Sequence, residues 1–386
     1  MTRPFEISRR GLLSTAAGAA VLSVAGRAKA AGKTLNFADI GVGDPGGDWS
    51  GFTKASGWNV NLVAIGNAPS AILNVMIGGG GTSTYDIINI VGGMQPPLIS
   101  NHLIEAIDPA EMPDWAKDTY ISEYLTEGKP GFQFIGYQGR LYGVPSVLQG
   151  DAFAYLPEKT GPLDSYAALF DPKWRGYVAL ENNYTTAGQK TALYLKKAGL
   201  ADIKDPANMS PAEIKAVVDF LIGRKKGGQF RVLWSSFEQA VDLIVRKEVY
   251  VIDCWEPMVF AAAAKGVHAV YADPKEGYLL WAMAAYLVNK RNGSAAEKKA
   301  SYELLNFMLG GWYGAKITLL RGYMTNPLAP AYAASHPAEF TAAEAKKIAA
   351  ITANVKHKFD QGGTWQNRWP THIDAYESEW QRFEAA

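Results

Sequence analysis

One nine-residue stretch constrains the chain more than any other. Val249-Tyr250-Val251-Ile252-Asp253-Cys254-Trp255-Glu256-Pro257 reads as a buried strand that stops at a Trp–Glu pair, with Pro257 in the first turn of a following helix. Open α/β sheets bind ligands just beyond the carboxyl ends of their strands. Trp255 offers a broad π face there and Glu256 a negative charge, a combination that suits a small organic cation. The same residues also fit a half-buried tryptophan and a solvated glutamate, since a carboxylate is stabilised at any helix N-terminus.

The rest of the chain repeats this strand-to-helix pattern. Residues 34–40 are a first strand, 57–63 a second, 70–77 a short helix and 85–91 a third strand ending at Gly92-Gly93. Strands alternating with helices at this spacing predict a parallel sheet. Further on, 139–145 reads as a hairpin arm. The segment around 178–180 is a buried strand, and its polar end, Glu181-Asn182-Asn183-Tyr184-Thr185-Thr186, meets another helix. Capping boxes are expected at Ser210 with Glu213 and Ser294 with Glu297, and Ser235 with Glu238 is expected to cap the helix that precedes residue 249. Gly266 should end the helix after Trp255, with a strand over 267–271. Residues 278–288 form a long apolar strand suited to crossing between domains, 341–356 a polar amphipathic helix, and 365–380 an aromatic tail. A chain of 386 residues is too long for one small core, so two or more domains are expected.

The first thirty residues read as an export signal. Ser8-Arg9-Arg10-Gly11-Leu12-Leu13 is a twin-arginine pattern with Leu12 where Phe is common, residues 12–26 are apolar, and Ala28-Lys29-Ala30 fits the small-x-small cleavage rule. The mature protein then starts at Ala31 in the periplasm; an ordinary secretory signal with a chance Arg pair is the alternative. Removing five basic residues (Arg3, Arg9, Arg10, Arg27, Lys29) and one acid (Glu6) leaves 33 basic against 36 acidic residues, a net charge of −3. That argues against a nucleic-acid partner, which needs a basic footprint. Cys254 is the only cysteine, so an intrachain disulfide or a cysteine-rich metal site is excluded.

Several chemical motifs are absent. Gly41-Val42-Gly43-Asp44-Pro45-Gly46 follows a strand and is formally G-x-G-x-x-G, but Pro45 intrudes and no acid lies about twenty residues on, so it reads as a flexible loop near a ligand. The run Gly78–Gly81 lacks the Lys-Ser/Thr of a phosphate loop and reads as a helix exit. No Gly-x-Ser-x-Gly elbow occurs, and the five histidines (His102, His268, His336, His357, His372) are scattered without metal-ligand spacing. His268 reads as a core or strand-edge histidine in an apolar strand. No cofactor is implied.

The order of segments resembles that of periplasmic solute-binding proteins of ABC importers, in the spermidine/putrescine-binding group. Tyr85-Asp86-Ile87-Ile88 is similar to that family's "YDVV", residues 139–145 to "GKVYGVP", and Leu169-Phe170-Asp171-Pro172-Lys173-Trp174-Arg175-Gly176 to "LFDPKYKG". Residues 304–309 resemble "INFLL", 322–327 "GYPTPN", and Trp365-Gln366-Asn367 "WQN". The resemblance implies an α/β, two-lobed periplasmic binding protein fold (type II), each lobe a mixed sheet flanked by helices, with a ligand cleft between lobes that closes like a clamp. Lobe one would comprise 31–145 plus 281–325, and lobe two 146–280 plus 326–386. It implies no enzymatic activity, a membrane permease as partner and a monomer.

Family aromatics that sandwich the ligand fall on Trp255 and Trp281, and a ligand-contacting Gln falls on Gln366. Asp39, Asn183, Ser236 and Gly92 complete the candidate set with Glu256. The departures are as informative. Polyamine binders carry carboxylates where this chain has Asn182, Asn183 and Thr186, and an Asp where it has Met283. A buried ammonium without a paired carboxylate costs several kcal/mol. The expectation is therefore a smaller amine, monocationic or zwitterionic, with Glu256 and Asp39 as candidate partners for its cation. The N–H groups of the helix after Asn183 would hold any anion. The alternatives are a polyamine receptor, an exported periplasmic enzyme, or a ferric-ion receptor of related fold.

Overall fold

The computed structural model describes residues 33–66 and 69–386, so the export signal lies outside the described residues. Among the described residues twelve strands are present. They are β1 (Thr34–Asp39), β2 (Asn59–Ala64), β3 (Ile87–Val91), the hairpin β4 (Gly136–Tyr137) and β5 (Arg140–Leu141), β6 (Gly143–Tyr155), β7 (Val178–Glu181), β8 (Phe230–Trp234), β9 (Val251–Cys254), β10 (Val270–Tyr271), β11 (Tyr278–Leu287) and β12 (Gly363–Trp365). The main sheet runs β2-β1-β3-β11-β6-β9-β7-β8, with β10 beside β6 and β12 beside β11.

The strand-to-helix pattern predicts parallel pairing, and β1 pairs in parallel with β2 and β3, as β7 does with β8 and β9. Between those halves stand two long strands, β6 and β11, antiparallel to each other and to β9 and β3 respectively, while the short β12 runs parallel to β11. The sheet is therefore mixed. Both long strands are buried at every residue, because each is covered on two faces.

β6 makes the passage between the halves. Its residues 143–151 pair with β11 and its residues 152–155 with β9. The apolar strand expected to cross, β11, pairs only with β3, β6 and β12. Side-chain alternation then separates the cores. Phe153, Val178, Leu180 and Val251 enter one cluster and Ala154, Ala179 and Ile252 another, on opposite faces of the β9-β7-β8 half. The β1–β3 half shares a third, larger cluster with β11 and the first part of β6.

Local signals set most boundaries. Ser210–Glu213 and Ser294–Glu297 form the expected capping boxes on helices Pro211–Lys226 and Ala295–Met308. The helix Phe237–Val245 is capped by Ser236, whose hydroxyl accepts from the Gln239 N–H, rather than by Ser235 with Glu238. The helix predicted over 341–356 runs on to Gln361 and so includes Lys358. Gly81 begins a short helix, so the Gly78–Gly81 run is only partly an exit. The strand predicted over 267–271 shrinks to Val270–Tyr271, leaving His268 exposed and outside it. Among the described residues no helix is long and apolar enough to cross a membrane.

Candidate functional site

The carboxyl ends of β1, β8 and β9 converge on a cavity of about 660 Å³. Ile40, Gly41 and Val42 line it from the β1 loop, Phe237 and Glu238 from the residues after β8, and Trp255 and Pro257 from those after β9. Arg321, Gly322 and Tyr323 also line it, where the helix Gly311–Arg321 ends at Gly322 in a left-handed conformation.

Trp255 is half-buried, caps the end of β9 and presents itself to this cavity. It stands edge-on to Trp234, with centroids 5.6 Å apart, and its indole N–H donates to Glu181 Oε2 at 3.1 Å. Glu181 is the last residue of β7 and is buried. Trp281 is buried and does not line the cavity; Tyr323, edge-on to it at 5.4 Å, occupies the wall in front. Behind Trp281 lies Asp151 of β6. No hydrogen bond of normal geometry joins them, and Trp281 Nε1 and Asp151 Oδ1 are both buried without a partner.

These two carboxylates belong to a buried cluster. Lys190, fully buried, pairs with Asp253 and donates to the Ala152 carbonyl at 3.3 Å. Burial opposes the Lys190 charge, but Asp253, Asp151 and Glu181 together hold its pKa above the ordinary lysine value. The buried Arg368 also faces Glu181. Burial pushes Asp151 up to about 6, against the pull of Lys190 and Lys358, and Glu181 up to about 7, against Lys190.

Glu256 stands in a different arrangement. Its Oε2 accepts from Lys358 Nζ at 2.7 Å and Gln149 at 3.2 Å, and its Oε1 from Asn354 at 2.9 Å. Lys358 also donates to Gln149 Oε1 and to the Gly150 carbonyl, with the Tyr271 ring 4.6 Å away. The charge expected to meet a ligand is therefore neutralised inside the protein. Asp39 is likewise occupied. Its oxygens accept from the N–H groups of Gly41 and Gly43 and from Asn89 Nδ2 at 2.7 Å. A side chain at Gly43 would put Cβ 2.7 Å from Asn89 Nδ2, so the Gly-x-Gly of this loop exists to wrap an acid rather than a phosphate.

The remaining candidates hold the scaffold. Asn183 Oδ1 accepts from the N–H and hydroxyl of Thr185, and the N–H groups of Thr186 and Gly188 are bound to the Asn183 carbonyl. The anion site expected at that helix start is thus already filled by the chain itself. Gln366 is buried, donates through Nε2 to the Thr185 carbonyl at 2.9 Å, and continues β12 by an N–H bond to Leu280. Ser236 caps a helix. Gly92 sits against Phe134, which a Cβ would approach to 2.6 Å.

The structure thus brings Trp255 to the cavity and turns Glu256, Asp39, Asn183, Gln366, Ser236 and Gly92 to internal contacts. Sequence reading missed Arg321, Asp151, Lys190 and Lys358, which carry no local motif. Glu181 stood in the polar cluster at the end of β7 and could have been found there. Among the described residues no group of three or more His, Cys, Asp or Glu side chains is arranged to hold a metal ion.

Comparisons with known proteins agree with this architecture. The spermidine/putrescine-binding periplasmic protein 1 of Haemophilus influenzae is 24% identical over 345 residues, covering 89% of this chain and 86% of that protein. A spermidine/putrescine ABC transporter protein from Listeria monocytogenes superposes with a TM-score of 0.68 at 16% identity, covering 91% of this chain and 99% of that one. The PBP MotA from A. tumefaciens in complex with glucopine superposes with a TM-score of 0.65 at 18% identity, covering 91% and 99%. The fold is the two-lobed α/β fold of these binding proteins. The pattern of the bacterial extracellular solute-binding proteins matches residues 50–367, and the chain belongs to that family, a family of ABC-transporter substrate-binding proteins and not of enzymes.

Proposed function

We propose that this receptor captures a small amine-containing solute in the cavity beside Trp255 and delivers it, by lobe closure, to a membrane permease. The observation that carries the reading is the acidic backing of Trp255. Glu181 accepts from the Trp255 indole, which enriches the π face turned to the cavity, and it belongs to a buried group in which Glu181, Asp151 and Asp253 face Lys190, with Arg368 beside Glu181 and Lys358 beside Asp151. The electron-rich face attracts a cation and repels an anion. We assign the lobes to 31–145 plus 281–325 and 146–280 plus 326–386; the two clusters of the β9-β7-β8 half fall within the second, whereas the largest cluster also takes in Val147, Leu148, Tyr278, Leu280, Val355 and Phe359 from it. Residues 1–30 direct twin-arginine export, with the periplasmic protein starting at Ala31.

A panel of monoamines, diamines and amino acids, screened by thermal shift on residues 31–386, tests this. A ligand at about a hundred times its Kd adds roughly 2.7 kcal/mol of stability. If no amine moves the transition and neutral or anionic solutes do, the reading fails.

One observation favours a second reading. The same group of buried carboxyls, together with the polyamine-binding relative, fits a diamine such as putrescine. Calorimetry with spermidine and putrescine against a monoamine separates the two, and tight spermidine binding makes the polyamine reading the right one.

A further inference from the structure

The cavity lined by Trp255 is also lined by a cation. Arg321 is half-buried at the end of the helix Gly311–Arg321, and among the described residues no carboxylate forms an ion pair with it. Its Nη2 reaches the Asp44 carbonyl at 3.3 Å, while its buried Nε has no partner. Asp39 is already held by two backbone N–H groups and Asn89, so it offers Arg321 a field rather than a bond, and the Asp44 carboxylate accepts from the Gly47 N–H. The other charged side chains on the cavity, Glu238 and Lys347, are exposed at its rim. Apolar contacts from Ile40, Val42, Phe237 and Leu319 fill the space between.

A half-buried guanidinium with an unused donor is costly unless something anionic meets it, and its planar fork matches a carboxylate. We infer that Arg321 binds a carboxylate on the ligand, so that the solute is zwitterionic: its ammonium at Trp255 and its carboxylate at Arg321. This rests on the amine reading of the same cavity and narrows it. Arg321 follows β11 in the chain and Trp255 follows β9, so a ligand bound by both touches two separate segments at once. A diamine fits poorly, because one of its ammonium groups would face the guanidinium.

Matched pairs that differ only by a carboxylate test the inference: lysine with cadaverine, arginine with agmatine, γ-aminobutyrate with propylamine. Calorimetry on the wild type, Arg321→Gln, Arg321→Lys and Trp255→Ala gives the affinity ratio within each pair. In any pair that binds, the amino acid should bind the wild type at least about tenfold tighter than its decarboxylated partner. Arg321→Gln should bring that ratio to within about threefold, with Arg321→Lys between. Because the ratio is taken within one variant, a general loss of stability cancels, and Arg321→Lys decides the matter if the Gln variant does not fold. Trp255→Ala should weaken both members alike. A wild-type ratio near one, or a ratio that survives in Arg321→Gln, overturns the role of Arg321 while leaving the amine reading standing. Failure of every pair member to bind the wild type overturns both.

Discussion

Two buried lysines are anchored on β6, and they behave differently. Lys358 donates to the Gly150 carbonyl and Lys190 to the Ala152 carbonyl, so both are anchored where β6 passes from β11 to β9. Lys358 pairs directly with Glu256, neutral donors complete the shell, and Asp151 lies in its field. Lys190 pairs with Asp253 and is also in the field of Asp151 and Glu181, and Glu181 in turn faces Arg368. The first group is closed within the frame, while the second reaches the cavity through the Glu181–Trp255 hydrogen bond. On this contrast Glu256 belongs to the frame, and Glu181 is the acid we propose acts on the ligand in its place.

The comparison is broken most forcefully at Lys190. Lys190→Met leaves the buried Asp253 without its ion-pair partner and removes a cation from Asp151 and Glu181, and it should cost about 3–5 kcal/mol, seen in chemical denaturation at neutral pH. Lowering the pH should restore much of it, since the carboxyls can then protonate. Recovery on raising the pH would contradict this role of Lys190.

Lys358→Met should cost less, about 3 kcal/mol, because Gln149 and Asn354 still donate to Glu256. Adding Glu256→Gln should return at least half of that loss by removing the orphaned charge. Amine affinity should stay within about twofold in the double variant, as no ligand contact is touched. A large loss of affinity with the fold intact would restore Glu256 to the ligand site.

The smallest effect is a slope. The pKa values of Asp151 and Glu181 are raised in the folded state, from ordinary values of 3.8 and 4.5 to about 6 and about 7. The folded protein then holds more protons than the unfolded chain between about pH 4 and 7, so ligand-free stability should fall as pH rises through that window. Glu181→Gln should flatten the slope at its upper end and weaken amine binding roughly fivefold. A bound cation favours the ionised carboxyls, so binding at pH 6–7 should release protons, which calorimetry in buffers of different ionisation enthalpy measures. Proton uptake would count against the cation.

Much of the fold was legible because its signals are local. The capping boxes at Ser210 and Ser294, the strand Val251–Cys254 with Pro257 in the next helix, and the all-apolar β11 depend on near neighbours and periodicity. Boundaries slipped where local signals competed. Ser235 and Ser236 are both good caps, and the hydroxyl that meets the Gln239 N–H is the second. The helix from Ala342 ran a turn past its visible pattern, which concealed Lys358. Site residues were harder still. Glu256 and Asp39 are acids at strand ends, as a ligand site requires, yet whether such an acid faces a cavity or a lysine depends on elements far along the chain.

By itself the sequence determined the family, the alternation of strands and helices, the absence of cysteine and phosphate-loop chemistry, and the placing of Trp255 at the end of a central strand. Only the tertiary structure decided which charges were spent. Asp151, Glu181, Lys190 and Asp253 come from four separate elements, and Arg321 lines one cavity with Trp255 from a fifth. Charge balance is a sum over groups within a few ångströms in a low-dielectric interior, and sequence order does not record that sum.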